Sequence, residues 1–321
     1  MPTINTVGVI GTGVIGRSWA LVFAGAGCET RLCDASAEQL DRAHAWIEAT
    51  LASDAIESLM PPAQRETAKQ HLVFCRDLPA ALSGAGWVQE SGPEDLYKKQ
   101  AIFAELDRVA DASAILASST SVLDIQAIAA GLGGVHRCIV AHPVNPPHVV
   151  PVVEVLPTRN APPEIVERAC AFLASVGQTP VRLKRYVPGF ILNRLQSALV
   201  REAIHLVMSG VADVDAVDTT VRDGIGLRWA VMGPFGLANT NSDGGVRQYY
   251  KMYGHAYETM MNALGPTPPF DDAMIETVAK GTDTMLGSES REDQQHRRDR
   301  LIARLRQLKR EDARWSTHAS P

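Results

Sequence analysis

The sequence of 321 residues predicts an α/β fold in which a doubly wound sheet is followed by an all-helical region. Two observations lead to this prediction. In the first half of the chain, short apolar runs alternate with helical patterns, which is typical of parallel strands joined by crossover helices. After Tyr186 only helical patterns remain. We therefore expect two domains, over residues 1–187 and 188–321, a number that agrees with the chain length.

The elements of the first domain follow from local periodicity. The predicted strands cover 6–10, 29–34, 86–89, 114–117, 138–141 and 150–156. The predicted helices cover 17–26, 38–51, 61–70, 96–110, 122–130 and 163–176. In the second domain, a long helix from Pro188 to about Ser209 ends before Gly210, a common helix stop. Four further helices are predicted over 214–222, 239–263, 271–286 and 290–310.

Composition and charge exclude several classes of protein. The chain has 45% hydrophobic and 21% charged residues, as soluble globular proteins do. Its formal net charge of −5 and pI near 6.0 argue against a nucleic-acid partner. No apolar run reaches the ~18 residues of a membrane span, and no leader pattern precedes the first strand. The five cysteines include no C-x-x-C pair, which predicts reduced thiols in a cytoplasmic protein without a metal site.

A glycine-rich turn marks the predicted cofactor site. Gly11-Thr-Gly-Val-Ile-Gly16 lies between the first predicted strand and helix, the context in which G-x-G-x-x-G binds a dinucleotide. Gly11 permits the tight turn, Gly13 lets a pyrophosphate approach the backbone, and Gly16 allows close packing of helix and strand. The helix N-terminus then faces the phosphates. We predict a Rossmann-type site.

The residue at the end of the second predicted strand selects the cofactor. Asp34 lies 18 residues after Gly16, where an acid accepts hydrogen bonds from the adenosine ribose. A 2′-phosphate would be repelled there, so the sequence favours NAD over NADP. Val14 and Ile15, within the glycine-rich turn, are also placed at the cofactor.

Polar residues follow two of the predicted strands. The Ser-Ser-Thr-Ser segment at 118–121 and His142 stand at carboxyl ends, where open parallel sheets bind their ligands. Glu154 lies twelve residues after His142 inside an apolar run, and burying a lone charge is very costly. A turn through Pro146 and Pro147 can bring the carboxylate to the imidazole, whose tautomer it would hold. The pair would then form a general base. Pairing of Glu154 with a nearby arginine remains the alternative.

The order of these motifs resembles the 3-hydroxyacyl-CoA dehydrogenase superfamily. The glycine-rich turn is followed by Ser-Ser-Thr-Ser, His-Pro-Val-Asn-Pro, Val-Glu-Val and Pro-Gly-Phe-Ile-Leu-Asn-Arg-Leu, and the resemblance covers essentially the whole chain. The segments at 139–147 and 223–230 look most like the lambda-crystallin group of L-gulonate 3-dehydrogenases. The resemblance implies an NAD-dependent dehydrogenase in which His142 is catalytic and Glu154 orients it. It implies that Ser121 and Asn193 contact the reacting oxygen, and it places three further residues in the cofactor or active-site cleft: Glu94, Lys99 and Asn145.

One segment departs from the acyl-CoA enzymes. Where they carry a short Gly-Tyr-Pro-Met-Gly-Pro-like segment, this chain has Gly226-Leu-Arg-Trp-Ala-Val-Met-Gly-Pro234. Arg228 offers a planar guanidinium suited to a substrate carboxylate, which a free hydroxy acid has and a thioester lacks. A surface or interdomain salt bridge is the alternative role. Carnitine dehydrogenases also resemble this segment.

Three functions remain open on these grounds. The first is NAD-dependent oxidation of the 3-hydroxyl of a small, free 3-hydroxy acid, with L-gulonate as the leading candidate. The second is a dehydrogenase of 3-hydroxyacyl-CoA or carnitine, although the segment at 52–69 shows no basic patch for a CoA tail. The third is a non-catalytic, crystallin-like role, against which the intact catalytic set argues. A homodimer is expected because the helical region carries apolar residues on more than one face.

Overall fold

The computed structural model describes residues 4–53, 56–57 and 59–312. Its contacts divide the chain into two compact units. The first unit extends to Asn193 and also includes the chain from Gln295 onward, and the second unit is Arg194–Gln294. Most of the last helix, which the sequence order placed in the helical domain, therefore packs in the first unit.

One sheet forms the centre of the first unit. Its strands are β1 (Thr6–Ile10), β2 (Glu29–Cys33), β3 (Leu72–Phe74), β4 (Trp87–Glu90), β5 (Ile115–Ser118), β6 (Cys138–Pro143), β7 (Val152–Pro157) and β8 (Thr179–Arg182). Their order is β3-β2-β1-β4-β5-β6-β7-β8, and neighbours are parallel except the antiparallel pair β6 and β7. The order reverses between β1 and β4, and a crevice at such a switch point is where open α/β sheets bind ligands.

The predicted doubly wound sheet is confirmed, with two strands that the sequence analysis missed. β3 and β8 have three and four residues and form the two edges of the sheet. None of their residues is fully buried. Short edge strands of this kind lack the continuous apolar run that revealed the central strands.

Helices cover both faces of this sheet. They are α1 (Val14–Gly25), α2 (Ala37–Ala52), α3 (Pro62–His71), α4 (Leu78–Leu82), α5 (Leu96–Val109), α6 (Ile125–Ile128) and α7 (Pro163–Ser175). The last helix, α14 (Arg291–Glu311), lies in the same unit from Gln295 onward. Alternate strand residues enter two apolar clusters. Val7, Val9 and Trp87 pack in one cluster with α1 and α7, whereas Val88 and Leu116 pack in the other with α5 and α6. Both faces of the sheet are thus buried.

The described residues of the second unit form helices and connections. The helices are α8 (Leu192–Met208), which starts in the first unit, α9 (Val214–Thr219), a π-helical turn (Thr220–Gly226), α10 (Leu227–Val231), α11 (Pro234–Thr240), α12 (Gly245–Asn262) and α13 (Asp272–Leu286). The single helix predicted over 239–263 is wrong, because the chain turns before Gly245, whose φ of 67° favours glycine. Among all the described helices, none has both the length and the apolar character of a bilayer span.

Candidate active site

The polar residues singled out in the sequence meet at the carboxyl edge of the sheet. β4 ends at Glu90, β5 at Ser118 and β6 at Pro143, one residue beyond His142. These strands are neighbours and run in the same direction, so the segments that follow them emerge at one edge. This edge flanks the glycine-rich turn after β1, which is paired in parallel with β4.

His142 and Glu154 are direct cross-strand partners. They face each other in the antiparallel register of β6 and β7. His142 Nδ1 lies 2.8 Å from Glu154 Oε2, and the two residues are only 5% and 2% exposed. Direct neighbours in a sheet project to the same face, so the strands hold the two side chains together. The turn through the prolines thus brings the pair into contact, and the partner of Glu154 is this histidine rather than an arginine.

Backbone groups satisfy the second oxygen of Glu154. Oε1 accepts hydrogen bonds from Ile191 N at 2.8 Å and from Leu192 N at 3.0 Å, where α8 begins. Gly189 and Phe190 precede these donors with φ of 76° and 50°. Phe190 is a non-glycine residue in the left-handed region, a conformation that costs energy and that packing must hold. Its ring is fully buried, 5.4 Å from the His142 ring centre.

These contacts keep the Glu154 carboxylate ionised. Burial acts to raise the pKa of Glu154, but the hydrogen bonds from His142, Leu192 and Ile191 outweigh it and the pKa is lowered. An ionised carboxylate only accepts hydrogen bonds, so the proton between the two side chains belongs to His142 Nδ1. When the ring carries no second proton, its Nε2 is the acceptor that a general base needs.

Ser121 and Asn193 lie next to each other beside this pair. Asn193 Nδ2 donates to the Ser121 carbonyl oxygen at 3.4 Å. Glu94 holds the segment that carries Ser121, since its Oε1 accepts from Thr120 Oγ1 at 2.5 Å, Ser121 N at 2.9 Å and Val122 N at 3.2 Å. Glu94 thus fixes the backbone after β5. The role of Ser121 and Asn193 as contacts to a substrate oxygen stays a prediction.

A buried ion pair lies beneath this segment. Lys99 is 1% exposed, and its Nζ lies 2.8 and 2.9 Å from the two carboxylate oxygens of Glu90. Ser118 Oγ also donates to Glu90, at 2.6 Å, and Lys99 lies 3.6 Å from Glu94. Lys99 is therefore enclosed by carboxylate partners, and its place in the cofactor or active-site cleft stays a prediction. Glu90 was not among the predicted site residues, although an acid that ends the apolar strand β4 is the same kind of signal that drew attention to Glu154.

The glycine-rich turn fits a dinucleotide. Gly11 has φ of 88°, and a Cβ there would lie 2.8 Å from the backbone of Ser91. A Cβ at Gly16 would clash with the carbonyl oxygen of Gly11, so this glycine allows α1 to pack close to the turn. A Cβ at Gly13 would meet nothing within 4 Å, which leaves the N-terminus of α1 open to a phosphate. Val14, at the first helical position, is 53% exposed there, and Ile15 follows it, half-buried.

Asp34 closes the adenosine end of this site. Its Oδ2 accepts from Thr12 N at 2.7 Å and from Thr12 Oγ1 at 3.1 Å, and its Oδ1 accepts from Ser36 N at 2.9 Å. The side chain is half-buried. These bonds orient the carboxylate at the end of β2 and use three of its roughly four acceptor positions, which leaves one on Oδ1 for a ribose hydroxyl. The residues therefore fit NAD.

Two predicted site residues lie apart from these contacts. Asn145 is exposed, in the loop that follows β6, three residues beyond His142. Arg228 belongs to the second unit, on α10. There its charge acts to lower the pKa of Tyr257, which the hydrogen bond with Tyr249 and burial raise. The roles of both residues stay predictions.

The chain matches two family models that together cover most of its length. The model described as "3-hydroxyacyl-CoA dehydrogenase, NAD binding domain" matches residues 6–186. The model described as "3-hydroxyacyl-CoA dehydrogenase, C-terminal domain" matches residues 189–289. α14 lies beyond both matches. The resemblance seen in the sequence motifs is thus confirmed.

Known proteins are similar over nearly the whole chain. A lambda-crystallin homolog of Bos taurus is 38% identical over 94% of this chain and 95% of its own length. An L-carnitine dehydrogenase of Oceanobacillus iheyensis is 35% identical over 94% of this chain and 97% of its own. A solved 5-formyl-3-hydroxy-2-methylpyridine 4-carboxylic acid 5-dehydrogenase, an NAD⁺-dependent dismutase, superposes with a TM-score of 0.79 at 27% identity, covering 95% and 98% of the two chains. The 3-hydroxybutyryl-CoA dehydrogenase of Escherichia coli K12 gives 0.68 at 31% identity, covering 87% of this chain and 57% of its own.

Proposed function

The chain belongs to the 3-hydroxyacyl-CoA dehydrogenase family and is an NAD-dependent oxidoreductase acting on CH–OH groups, and from that premise we propose that its substrate is a small, free 3-hydroxy acid. L-Gulonate is the leading candidate. The similarity to lambda-crystallin homologs and L-carnitine dehydrogenases supports a free acid, because carnitine is itself a 3-hydroxy acid with its own carboxylate.

The observation that carries the proposed chemistry is the contact between His142 and Glu154. Nε2 of His142 accepts the proton of the substrate hydroxyl while C3 loses its hydrogen as hydride, so the alcohol becomes a ketone. Bound NAD supplies the hydride acceptor at nicotinamide C4. The imidazolium that forms lies 2.8 Å from an ionised carboxylate, which stabilises the charge. In the reverse direction His142 returns the proton to the alkoxide.

Two further residues would orient the substrate oxygen. Ser121 follows β5 and Asn193 lies in the first turn of α8. The hydrogen bond from Asn193 Nδ2 to the Ser121 carbonyl oxygen sets their spacing. Their side chains offer a hydroxyl and an amide to the carbonyl oxygen that develops during oxidation. Such preorganised donors favour the transition state over the alcohol ground state.

Arg228 is our candidate for the substrate carboxylate. A small hydroxy acid has this group as its one strong electrostatic handle, and a guanidinium can bind it with two parallel hydrogen bonds. The segment around Arg228 is also where the sequence departs from the acyl-CoA enzymes. A thioester substrate offers no carboxylate at the equivalent place.

We also propose that the enzyme is a homodimer formed through its helical unit. The buried apolar side chains described in that unit are Ile204, Ala238 and Met274. Large apolar side chains remain exposed, among them Phe235, Met252, Met260, Met261 and Phe270. Burying them against a second copy would stabilise both. Light scattering that gave the 34.6 kDa monomer mass at micromolar concentration would contradict this part.

A substrate panel tests the proposed function. NADH formation is followed with L-gulonate, L-carnitine, 3-hydroxybutyrate and 3-hydroxybutyryl-CoA, and H142A serves as the control for contaminating activity. We expect the highest kcat/KM with a free acid, L-gulonate first. A preference for L-carnitine would support a free 3-hydroxy acid as the substrate class but replace L-gulonate as the leading candidate. A preference for the CoA thioester would overturn the proposal.

A further inference from the structure

The last helix, α14, carries an arginine that contacts the loop between β6 and β7. α14 lies outside both family matches, yet from Gln295 onward it packs in the first unit. One nitrogen of Arg306, Nη1, donates to the carbonyl oxygens of His148 and Val149, at 3.0 and 2.7 Å. Burial lowers the pKa of Arg306 to about 10, which still leaves the guanidinium charged at neutral pH.

Both carbonyls belong to the loop between the strand that carries His142 and the strand that carries Glu154. This hairpin loop, residues 144–151, connects β6, which holds His142, to β7, which holds Glu154. Inside the loop, the N–H groups of Val149 and Val150 bond to the Pro146 carbonyl at 2.9 and 3.0 Å. The Val149 side chain is fully buried. Buried carbonyls need donors, and Arg306 supplies them from outside the hairpin.

The same loop also contacts α1, the helix that follows the glycine-rich turn. His148 Nδ1 lies 2.9 Å from Ser18 Oγ on α1. The His148 ring meets Trp46 edge-on at 5.9 Å between centres, and the Arg17 guanidinium lies 4.2 Å from the centre of that indole. The loop is thus held by α14 through its backbone and by α1 through a side chain. Contacts to the loop therefore come both from α1 and from α14.

We propose that Arg306 is a positioning residue: by fixing the His148–Val149 turn it keeps the His142 ring in hydrogen-bond contact with Glu154. Without it, two carbonyls in the loop lose a charged donor and the loop repacks. Val144 N donates to Val152 O at 3.2 Å, which joins the loop directly to the strand pair that holds His142 opposite Glu154. A shift of the loop is therefore transmitted to His142, two residues before Val144.

Three variants separate this role from a general effect on the helix. R306M removes the donor but keeps an unbranched side chain. R306K restores a single charged nitrogen. Since Nη1 alone makes both bonds, the lysine ammonium should be able to make them in its place. R304M is the control, because Arg304 lies on the same helix with an exposed side chain. Should R306M fail to fold, R306L, which also lacks a donor, takes its place with the same expected results.

Two readouts are measured on the full-length protein. The first is kcat, corrected for folded fraction, with the affinity for NAD measured separately. We expect R306M to lower kcat on the order of tenfold to a hundredfold, because small misplacements of a catalytic group cost that much. NAD affinity should stay near that of the wild type, R306K should recover most of kcat, and R304M should match the wild type.

The second readout needs no substrate. It therefore tests the role of Arg306 independently of the proposed function, whereas the kcat measurement rests on that function. The ring proton on His142 Nδ1 is observed by NMR with ¹⁵N-labelled histidine. We expect it to be protected from exchange in the wild type, R306K and R304M, and to exchange faster in R306M. If the wild type oxidises none of the acids but this pattern holds, the substrate proposal fails and the role of Arg306 stands. If R306M loses thermal stability while kcat and the His142 proton are unchanged, Arg306 is structural only and the inference is overturned.

Discussion

Replacing Glu154 with glutamine tests the protonation state of the catalytic pair. The carboxylate accepts three hydrogen bonds, from His142 Nδ1, Ile191 N and Leu192 N. Glutamine has one oxygen and one NH₂ group. Its oxygen must face the two backbone N–H groups, because the NH₂ group would leave donors facing donors. The NH₂ group then faces His142 Nδ1, which can accept only if its proton moves to Nε2. The substrate proton then has no acceptor.

The expected loss follows from this inverted tautomer. General bases contribute about 10²–10⁴-fold to rate, so E154Q should lose about that much kcat, equivalent to about 3–5 kcal/mol of barrier. Affinity for NAD should persist. The pH dependence of stability should change as well. Because the pKa of Glu154 is lowered in the fold, its carboxylate stabilises the protein above the unfolded value of 4.5 and this stabilisation is lost as pH falls through the folded pKa.

The assay combines steady-state kinetics with thermal unfolding. The values of kcat and NAD affinity are measured for the wild type, E154Q and E167Q, which changes an exposed glutamate on α7. Unfolding curves at several pH values below 4.5 should show a less steep acid loss for E154Q than for the other two. E154Q with wild-type kcat and an unchanged pH–rate profile would refute the reasoning on the tautomer.

Four further predictions follow from the same contacts. H142A should lose about 10²–10⁴-fold in kcat and still bind NAD, as kinetics and a binding titration would show. D34A should weaken NAD binding much more than NADP binding; equal affinity of the wild type for both would contradict the role of Asp34. R228M should lower kcat/KM for a free acid about tenfold to several hundredfold, since charge-assisted hydrogen bonds contribute about 1.5–3 kcal/mol each. R228K should recover part of this loss. Equal losses of kcat/KM on a thioester would mean that Arg228 is structural. Burial lowers the pKa of His148 to about 4. The free energy of unfolding should therefore fall as pH drops from 6.5 towards 4, by at most about 3 kcal/mol. Unfolding curves of H148N should lack this fall.

Local sequence patterns were sufficient for the central fold. The strands buried on both faces, such as β1 and β5, have apolar runs with no competing interpretation, and the glycine-rich turn identified the first crossover. The edge strands β3 and β8 were missed because half-exposed residues carry little pattern. The break between α11 and α12 was missed because a glycine pair inside a helical pattern does not by itself show where φ turns positive.

The site was predictable where strands impose register. An isolated acid in an apolar run required a partner, and a return of the chain through the prolines could bring it to His142. Pairing with an arginine stayed open until the register of β6 and β7 was known. The backbone donors to Glu154 were not predictable, since they depend on the left-handed turn at Gly189 and Phe190. The contact of Arg306 with the hairpin was also beyond the sequence, because it joins residues 158 positions apart. In the sequence, the basic stretch of α14 was indistinguishable from a solvated helix face.

The most direct test of the account is to follow the hydrogen at C3 of the substrate. L-Gulonate deuterated at C3 is incubated with the enzyme and NAD, and the NADH formed is analysed for deuterium at C4 of the nicotinamide. We expect the NADH to carry the label, the product to be the 3-oxo acid, and H142A to form neither. Unlabelled NADH would contradict oxidation at C3. Absence of turnover with free 3-hydroxy acids, alongside rapid turnover of 3-hydroxybutyryl-CoA, would contradict the proposed substrate class.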